Sequence, residues 1–266
     1  LQTLHYGEKI KIKDVKVSFH PAGHILGSAQ IRLEYRGEVW VITGDYKIES
    51  DPTCTPFEPL RCHTFITEST FALPVFCWKP DSEIFAEINN WWRQNQERGK
   101  VSLIFAYALG KAQRILAGVD PTIGPIYGHG SVLKMNECYR EAGVSLPKTI
   151  HSGKIKDKKQ LRGALVIAPP SANNAVWLRK FPKHSSAFAS GWMQIRRNRL
   201  QSAVDRGFAL SDHADWPGIL QAVKDSGAEK IWVTHGYIEV LVHWLQEHGY
   251  LAQAVGSGRS REGDNF

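Results

Sequence analysis

The sequence predicts an α/β protein in which one sheet domain is interrupted by a second α/β domain. Three observations predict this. Short alternating or continuous apolar runs, bounded by Gly, Pro and Asp, fill residues 8–67 in the manner of sheet strands. From 81 to 178, strand-like runs alternate with helical patterns, the spacing of a parallel sheet with covering helices. Apolar runs then return at 207–212 and 230–236, each leading into a histidine.

Strands are expected at 8–12, 15–19, 29–35, 38–43 and 63–67, with a hairpin about Arg36-Gly37. After Pro80 the period changes to helical. Asp81 or Ser82 is suited to cap, and Ile84, Phe85, Ile88, Trp91 and Trp92 fall on one face. Strands at 102–108, 123–130 and 164–170 precede helices at 111–116, 132–142 and 172–178. The two late strands are expected to rejoin the first domain, each followed by a helix, the last at 238–247 with Leu241, Trp244 and Leu245 inward. The expected boundaries are 1–73 and 197–256 for the first domain, 74–196 for the insertion, and 257–266 for a mobile tail without a core pattern.

At 266 residues, with 42% hydrophobic residues and nine Trp, the chain can bury a large core, which excludes a disordered protein. The formal charge of +7 favours an acidic partner, because Lys and Arg near phosphates release counterions. Cys54, Cys62, Cys77 and Cys138 contain no CxxC pair, so neither a zinc ribbon nor a disulfide framework is suggested. No apolar run approaches the roughly 18 residues needed to span a bilayer, and cytoplasmic residence is the expectation.

Candidate chemistry starts at two strand ends. Pro21 and Gly23 build a turn presenting His24, and Asp45 follows the second strand of the hairpin. Imidazole and carboxylate together hold a divalent ion while leaving positions open for water. Alone, the pair reads equally well as a surface histidine and a turn aspartate.

Further residues match in order. GH with a small-residue turn at 23–24, TGD at 43–45, ITEST at 66–70 with Glu68, LSDHAD at 210–215 with His213 and VTHG at 233–236 with His235 resemble the motifs of the metallo-β-lactamase superfamily, and specifically its β-CASP nucleases. YALGKAQRIL at 107–116 is similar to the segment opening a helix of the β-CASP insertion. SGWMQIRRNR at 190–199 and VDRGFALSDHADWPG at 204–218 most resemble the bacterial ligase-associated exonuclease branch. The resemblance runs from about Thr3 to about Val255. It implies a metallo-β-lactamase αββα sandwich with an inserted α/β β-CASP domain.

The resemblance also implies roles. His24 and His235 would ligate two divalent ions, zinc or manganese, with Asp45 bridging them; His213 would be the general acid and Glu68 would fix its tautomer. The implied function is a DNA exonuclease acting in repair, in association with a DNA ligase and a helicase. Histidine at the motif of His235 tends to accompany RNA enzymes of the group, so an RNA-processing nuclease is the second enzyme reading. A third, of another class, is a catalytically inactive scaffold that binds nucleic acid.

One departure stands out. The superfamily's HxHxDH signature is absent from these residues, and the chain opens on Leu1. The expectation is a protein lacking its N-terminal portion and inactive as it stands.

Other polar residues carry two readings. Lys111, Arg114, Ser171, Arg196 and Arg197 are candidate phosphate contacts, being basic or near helix starts, and are equally a solvated face. His20 is either a neighbour supporting His24 or an ordinary strand-end histidine. Asp212 and Asp215 either orient His213 or cap the next helix, and His129 either lines the site or caps its helix.

Overall fold

The computed structural model describes residues 3–155, 157–181, 183–201 and 204–256, and the expected tail at 257–266 lies outside them. In chain order the first elements are β1 (Lys9–Ile12), β2 (Val15–Pro21), β3 (Ala29–Tyr35), β4 (Glu38–Ile42) and β5 (Thr64–Ser69). There follow α1 (Asp81–Glu97), β6 (Val101–Phe105), α2 (Lys111–Gly118), β7 (Ile126–Gly128), α3 (Gly130–Glu141), β8 (Ile150–His151), β9 (Leu165–Ala168), α4 (Ala175–Leu178), β10 (His184–Ala189), α5 (Arg196–Gln201) and β11 (Arg206–Phe208). The chain closes with α6 (Trp216–Ser226), β12 (Lys230–Gly236), α7 (Ile238–Glu247) and β13 (Leu251–Ala254). Among the described residues no helix is long and apolar enough to cross a membrane.

The chain forms two compact units. Of the described residues, the first holds 3–50, 55–77 and 213–256. Its sheet has the order β1-β2-β3-β4-β5-β12-β13. The β1 to β4 ladders are antiparallel, and β4, β5, β12 and β13 run parallel. Arg36 and Gly37 both take positive φ, 49° and 88°, as the tight hairpin between β3 and β4 requires. Asp45 and His235 are thus carried on strands that share a direction, which brings their carboxyl ends to one edge.

The core of this unit forms where helical and strand periods agree. Ile219, Ala222 and Val223 of α6 and Leu241 and Leu245 of α7 pack with Val41, Phe65, Ile231 and Val233 of the sheet. Asp215 starts α6 by accepting from the Gly218 amide at 2.9 Å, and Gly227 ends it in the left-handed region. Capping is therefore the role of Asp215 in this fold.

The second unit holds residues 51–54 and 78–212 around a parallel sheet of order β11-β10-β6-β9-β7-β8. Every residue of β6 is buried. Ile104 enters one cluster with Ile88, Trp91 and Trp92 of α1, while Leu103 and Phe105 enter another with Val166, Trp177 and Phe181. Burial on both faces explains why the strand reads as a continuous apolar run.

Several expectations need correction. Residues 207–212 do not return to the first sheet: β11 pairs with β10 at the edge of the second, so that compact unit runs to Asp212, past the expected boundary at 196. The helix expected at 172–178 is the single turn α4, preceded by a 3₁₀ turn at Pro170–Ala172. Helix α1 begins without a side-chain cap, because Pro80 occupies the capping position; Asp81, expected as a cap, is already in the first turn and accepts from Arg114.

Candidate active site

All five residues singled out for chemistry belong to the first unit, and its backbone brings them together. His24 sits in the turn after β2, closed by Ser28, whose Oγ accepts from the His24 and Ile25 amides at 3.2 Å each. That turn lies against the Asp45 loop: the Lys47 amide donates to Ala22 O at 3.1 Å. Gly23 has φ +71°, and a Cβ there would stand 2.4 Å from Lys47 O, so the approach requires glycine.

The ends of β5 and β12 are joined the same way. Ser69 Oγ donates to His235 O at 2.6 Å, and the Tyr237 amide to Ser69 O at 2.8 Å. Gly236 has φ +97°, and a Cβ there would lie 2.3 Å from Ser69 backbone. The strand carrying His235 is thereby fixed against the strand carrying Glu68.

Tyr46 ties in the last segment. Its amide donates to Glu68 Oε1 at 2.8 Å, and its carbonyl accepts from the Ala214 amide at 2.7 Å. The ring is fully buried, with Oη 3.0 Å from Thr67 Oγ1, and burial pushes the phenol far up. The sequence offered only an aromatic after TGD as a signal for this residue.

In the resulting geometry Asp45 lies between two imidazoles, with Oδ1 3.1 Å from His235 Nε2 and Oδ2 3.9 Å from His24 Nε2. The hydrogen bond from His235, aided by the charges of His213, His24 and His235, holds the Asp45 carboxyl at about 2 against the opposing effect of burial. The same bond raises His235. His213 Nδ1 lies 2.9 Å from both Glu68 oxygens, and Thr70 Oγ1 donates to Oε2. The His213 ring packs between His24, at 4.6 Å between centroids, and Phe71, at 5.8 Å.

Two groups of three side chains here are close enough to hold a metal ion: His24, Asp45 and His213, and Asp45, Glu68 and His235, with ligand atoms within 4.8 Å in each. Imidazole nitrogen with carboxylate oxygen is a donor set that suits zinc or manganese. The donor chemistry therefore fits the metal expected from the sequence. Placing His213 and Glu68 among potential donors goes beyond the sequence reading.

The candidate phosphate contacts divide. Lys111 and Arg114 are buried within the second unit, and their partners are carboxylates. Lys111 Nζ is 2.9 Å from Asp212 Oδ2; Arg114 reaches Asp81 at 2.5 and 2.6 Å, Asp51 at 3.4 Å and Asp212 at 3.7 Å, and donates to Ser211 O. Their expected role as phosphate contacts is corrected to charge neutralisation inside the fold. Ser171, Arg196 and Arg197 are exposed. His20 is held by Ser18 at 3.0 Å and Glu58 at 3.1 Å as an ordinary strand histidine, and His129 caps α3.

No protein-family model matches the chain. It is 29% identical over 251 residues to a protein named probable DNA ligase from Opitutus terrae, which covers 94% of this chain and 24% of that protein. It is 30% identical over 122 residues to endoribonuclease YSH1 of Saccharomyces cerevisiae, 45% of this chain and 15% of that protein. The chain thus spans a quarter or less of the length of these two relatives. In fold it is similar to a protein of unknown function from Enterococcus faecalis V583, with TM-score 0.62 and 10% identity, over 98% of this chain and 66% of that one.

Proposed function

We propose that the chain is part of a metal-dependent nuclease of the β-CASP kind that hydrolyses phosphodiester bonds, with DNA as the preferred substrate. The observation that carries the reading is Asp45 between His24 and His235 with the His213–Glu68 pair beside it. A likeness to an endoribonuclease over part of the chain supports nuclease chemistry. Likeness over 94% of the chain to a protein named as a DNA ligase supports DNA and a role beside ligation in repair.

His24, Asp45 and His235 would hold divalent ions, two by the resemblance, zinc or manganese. When bound, such an ion polarises a phosphate oxygen and lowers the pKa of water. The remaining work falls to the chain itself. Glu68, buried and acceptor-only, receives Nδ1–H of His213, which leaves Nε2 to carry the transferable proton. His213 is then placed to protonate the leaving oxygen as general acid. Tyr46 holds Glu68 through its N–H and, through its C=O, the amide of Ala214 next to His213.

A second reading rests on a specific residue. His235 occupies the motif at which histidine accompanies RNA enzymes of the group, so RNA is the alternative substrate. The experiment is cleavage of matched end-labelled DNA and RNA strands by the whole protein of which this chain is proposed to be a part, with Mn²⁺ or Zn²⁺ and with EDTA. Metal-dependent cleavage of DNA in preference to RNA supports the proposal; preference for RNA selects the alternative. Metal-independent binding without cleavage selects the scaffold.

A further inference from the structure

We propose that the amino edge of the second unit's parallel sheet is a docking surface for the phosphate backbone of duplex DNA, separate from the metal-ligand cluster. The choice of DNA rests on the nuclease reading above; the surface itself rests on charge and topology.

Charge is unevenly divided along the chain. Residues 51–54 and 78–212 hold 21 of the 33 Lys and Arg but 11 of the 26 Asp and Glu, so the second unit is strongly basic and the remainder is acidic. Every ladder of the second sheet is parallel, so all its strands start at one edge. Cations gather there. Lys100 and Lys183 immediately precede β6 and β10, whose first residues are in register, and Arg162 and Lys148 stand three and two residues before β9 and β8. Arg98 follows α1 into the same edge, and Lys159 lies in the 3₁₀ turn Lys158–Leu161 ahead of β9. All six are exposed. Among the described residues none of them forms an ion pair, whereas Lys79, Arg93 and Arg206 of the same unit do.

Strand order sets these cations in a row. β10, β6, β9, β7 and β8 are successive neighbours, and at about 4.8 Å per strand the row from Lys183 to Lys148 is about 19 Å long. That length matches about five or six base pairs of duplex. The backbone under the row is fixed: Lys183 O accepts from Val101 N at 2.8 Å, Ala164 O from Ser102 N at 2.9 Å, and Trp92 Nε1 donates to Gly163 O at 2.8 Å. A Cβ on Gly124 would stand 2.4 Å from Gly163 O, so the turns before β7 and β9 are in contact.

What the edge lacks names the occupant. The exposed large apolar side chains described in this unit, Tyr107, Leu109, Val176 and Leu200, lie after β6 or in α4 and α5, not at a strand start. The edge therefore offers no aromatic platform for the bases of a single strand and no apolar face for lipid. The nearby carboxylates of Asp157 and Asp205 accept from chain amides at 2.9 Å, while Glu97 interrupts the row. Exposed cations without carboxylate partners or apolar neighbours suit a polyanion held by its charge alone, which is duplex backbone.

The test is duplex binding by the whole protein, read by fluorescence anisotropy in EDTA across a salt series. K100Q/K148Q/R162Q/K183Q should retain the parent's Tm, weaken binding at least about tenfold at low salt, and flatten the slope of log affinity against log salt by about three to four. A control of equal charge change in the first unit, K9Q/K11Q/K13Q/K224Q, should bind like the parent. Parental affinity and slope in the first variant, or equal weakening in the control, would overturn the proposal. So would poly-aspartate that displaces the duplex charge for charge, which would assign the edge to an acidic protein. Cleavage is not read, so a duplex bound through this edge by a protein without nuclease activity sinks the nuclease reading alone.

Discussion

Glu68 and His213 are 145 positions apart in sequence, yet both oxygens of the buried carboxylate lie 2.9 Å from the imidazole Nδ1. Glu68 is 1% exposed and also accepts from Tyr46 N and Thr70 Oγ1, so it is held from three sides. In the proposed mechanism a carboxylate held this way sets the tautomer of its partner rather than reacting itself. Changing it to glutamine keeps the shape but offers Nδ1 one acceptor at most. Glu68→Gln should therefore keep metal content and fold while slowing cleavage less than loss of His213 does; unchanged turnover would remove Glu68 from the mechanism.

Asp45 is partly exposed and lies outside the core clusters. In the whole protein, Asp45→Ala should leave the melting temperature near that of the parent, abolish turnover and weaken zinc or manganese binding measured by calorimetry. Near-parental rates would exclude it from the site.

Gly236→Ala tests the backbone that aligns the two strands. A Cβ 2.3 Å from Ser69 backbone, at a φ of +97°, cannot be relieved by a side-chain shift. The variant should lose at least about 2 kcal/mol of stability in denaturant titrations. It should also lose activity out of proportion to the unfolded fraction, because His235 moves with it.

Arg114 distinguishes a structural cation from a phosphate contact. Arg114→Ala leaves Asp51, Asp81 and Asp212 without their shared guanidinium, at a cost of roughly 3–5 kcal/mol. A phosphate contact would instead show normal stability with weaker, less salt-sensitive nucleic-acid binding. Thermal unfolding and binding isotherms across salt concentration decide between them.

The sequence made the grouping of candidate side chains legible where they stand at strand ends. His24, Asp45, Glu68 and His235 each follow or close an apolar run that is a strand of the first sheet, so their convergence on one edge was readable once the strands were, whereas the run before His213 belongs to the second sheet. Tyr46 was not, because its contribution is a main-chain N–H and C=O that any residue possesses. Lys111 and Arg114 looked like phosphate contacts because a basic residue opening a helix reads the same whether it meets solvent or buried carboxylates. β10 escaped notice because HSSAFA buries polar Ser185 and Ser186, with Asp205 accepting from the Ser185 hydroxyl and the Ser186 amide. β11 was misplaced because it immediately precedes the segment bearing His213, although its ladder partner is β10.

The central claim is that His213 donates a proton beside a metal site that it does not itself hold. Its atoms lie within ligating reach of His24 and Asp45, so geometry admits the other role. The direct measurement is metal content and cleavage rate of His213→Ala in the whole protein on two substrates, a phosphodiester and its bridging phosphorothiolate, whose leaving group needs no proton. The account predicts retained metal, a loss on the order of 10²–10⁴-fold on the diester, and recovery of most of that loss on the phosphorothiolate. Loss of one metal equivalent with no recovery would contradict it and make His213 a ligand.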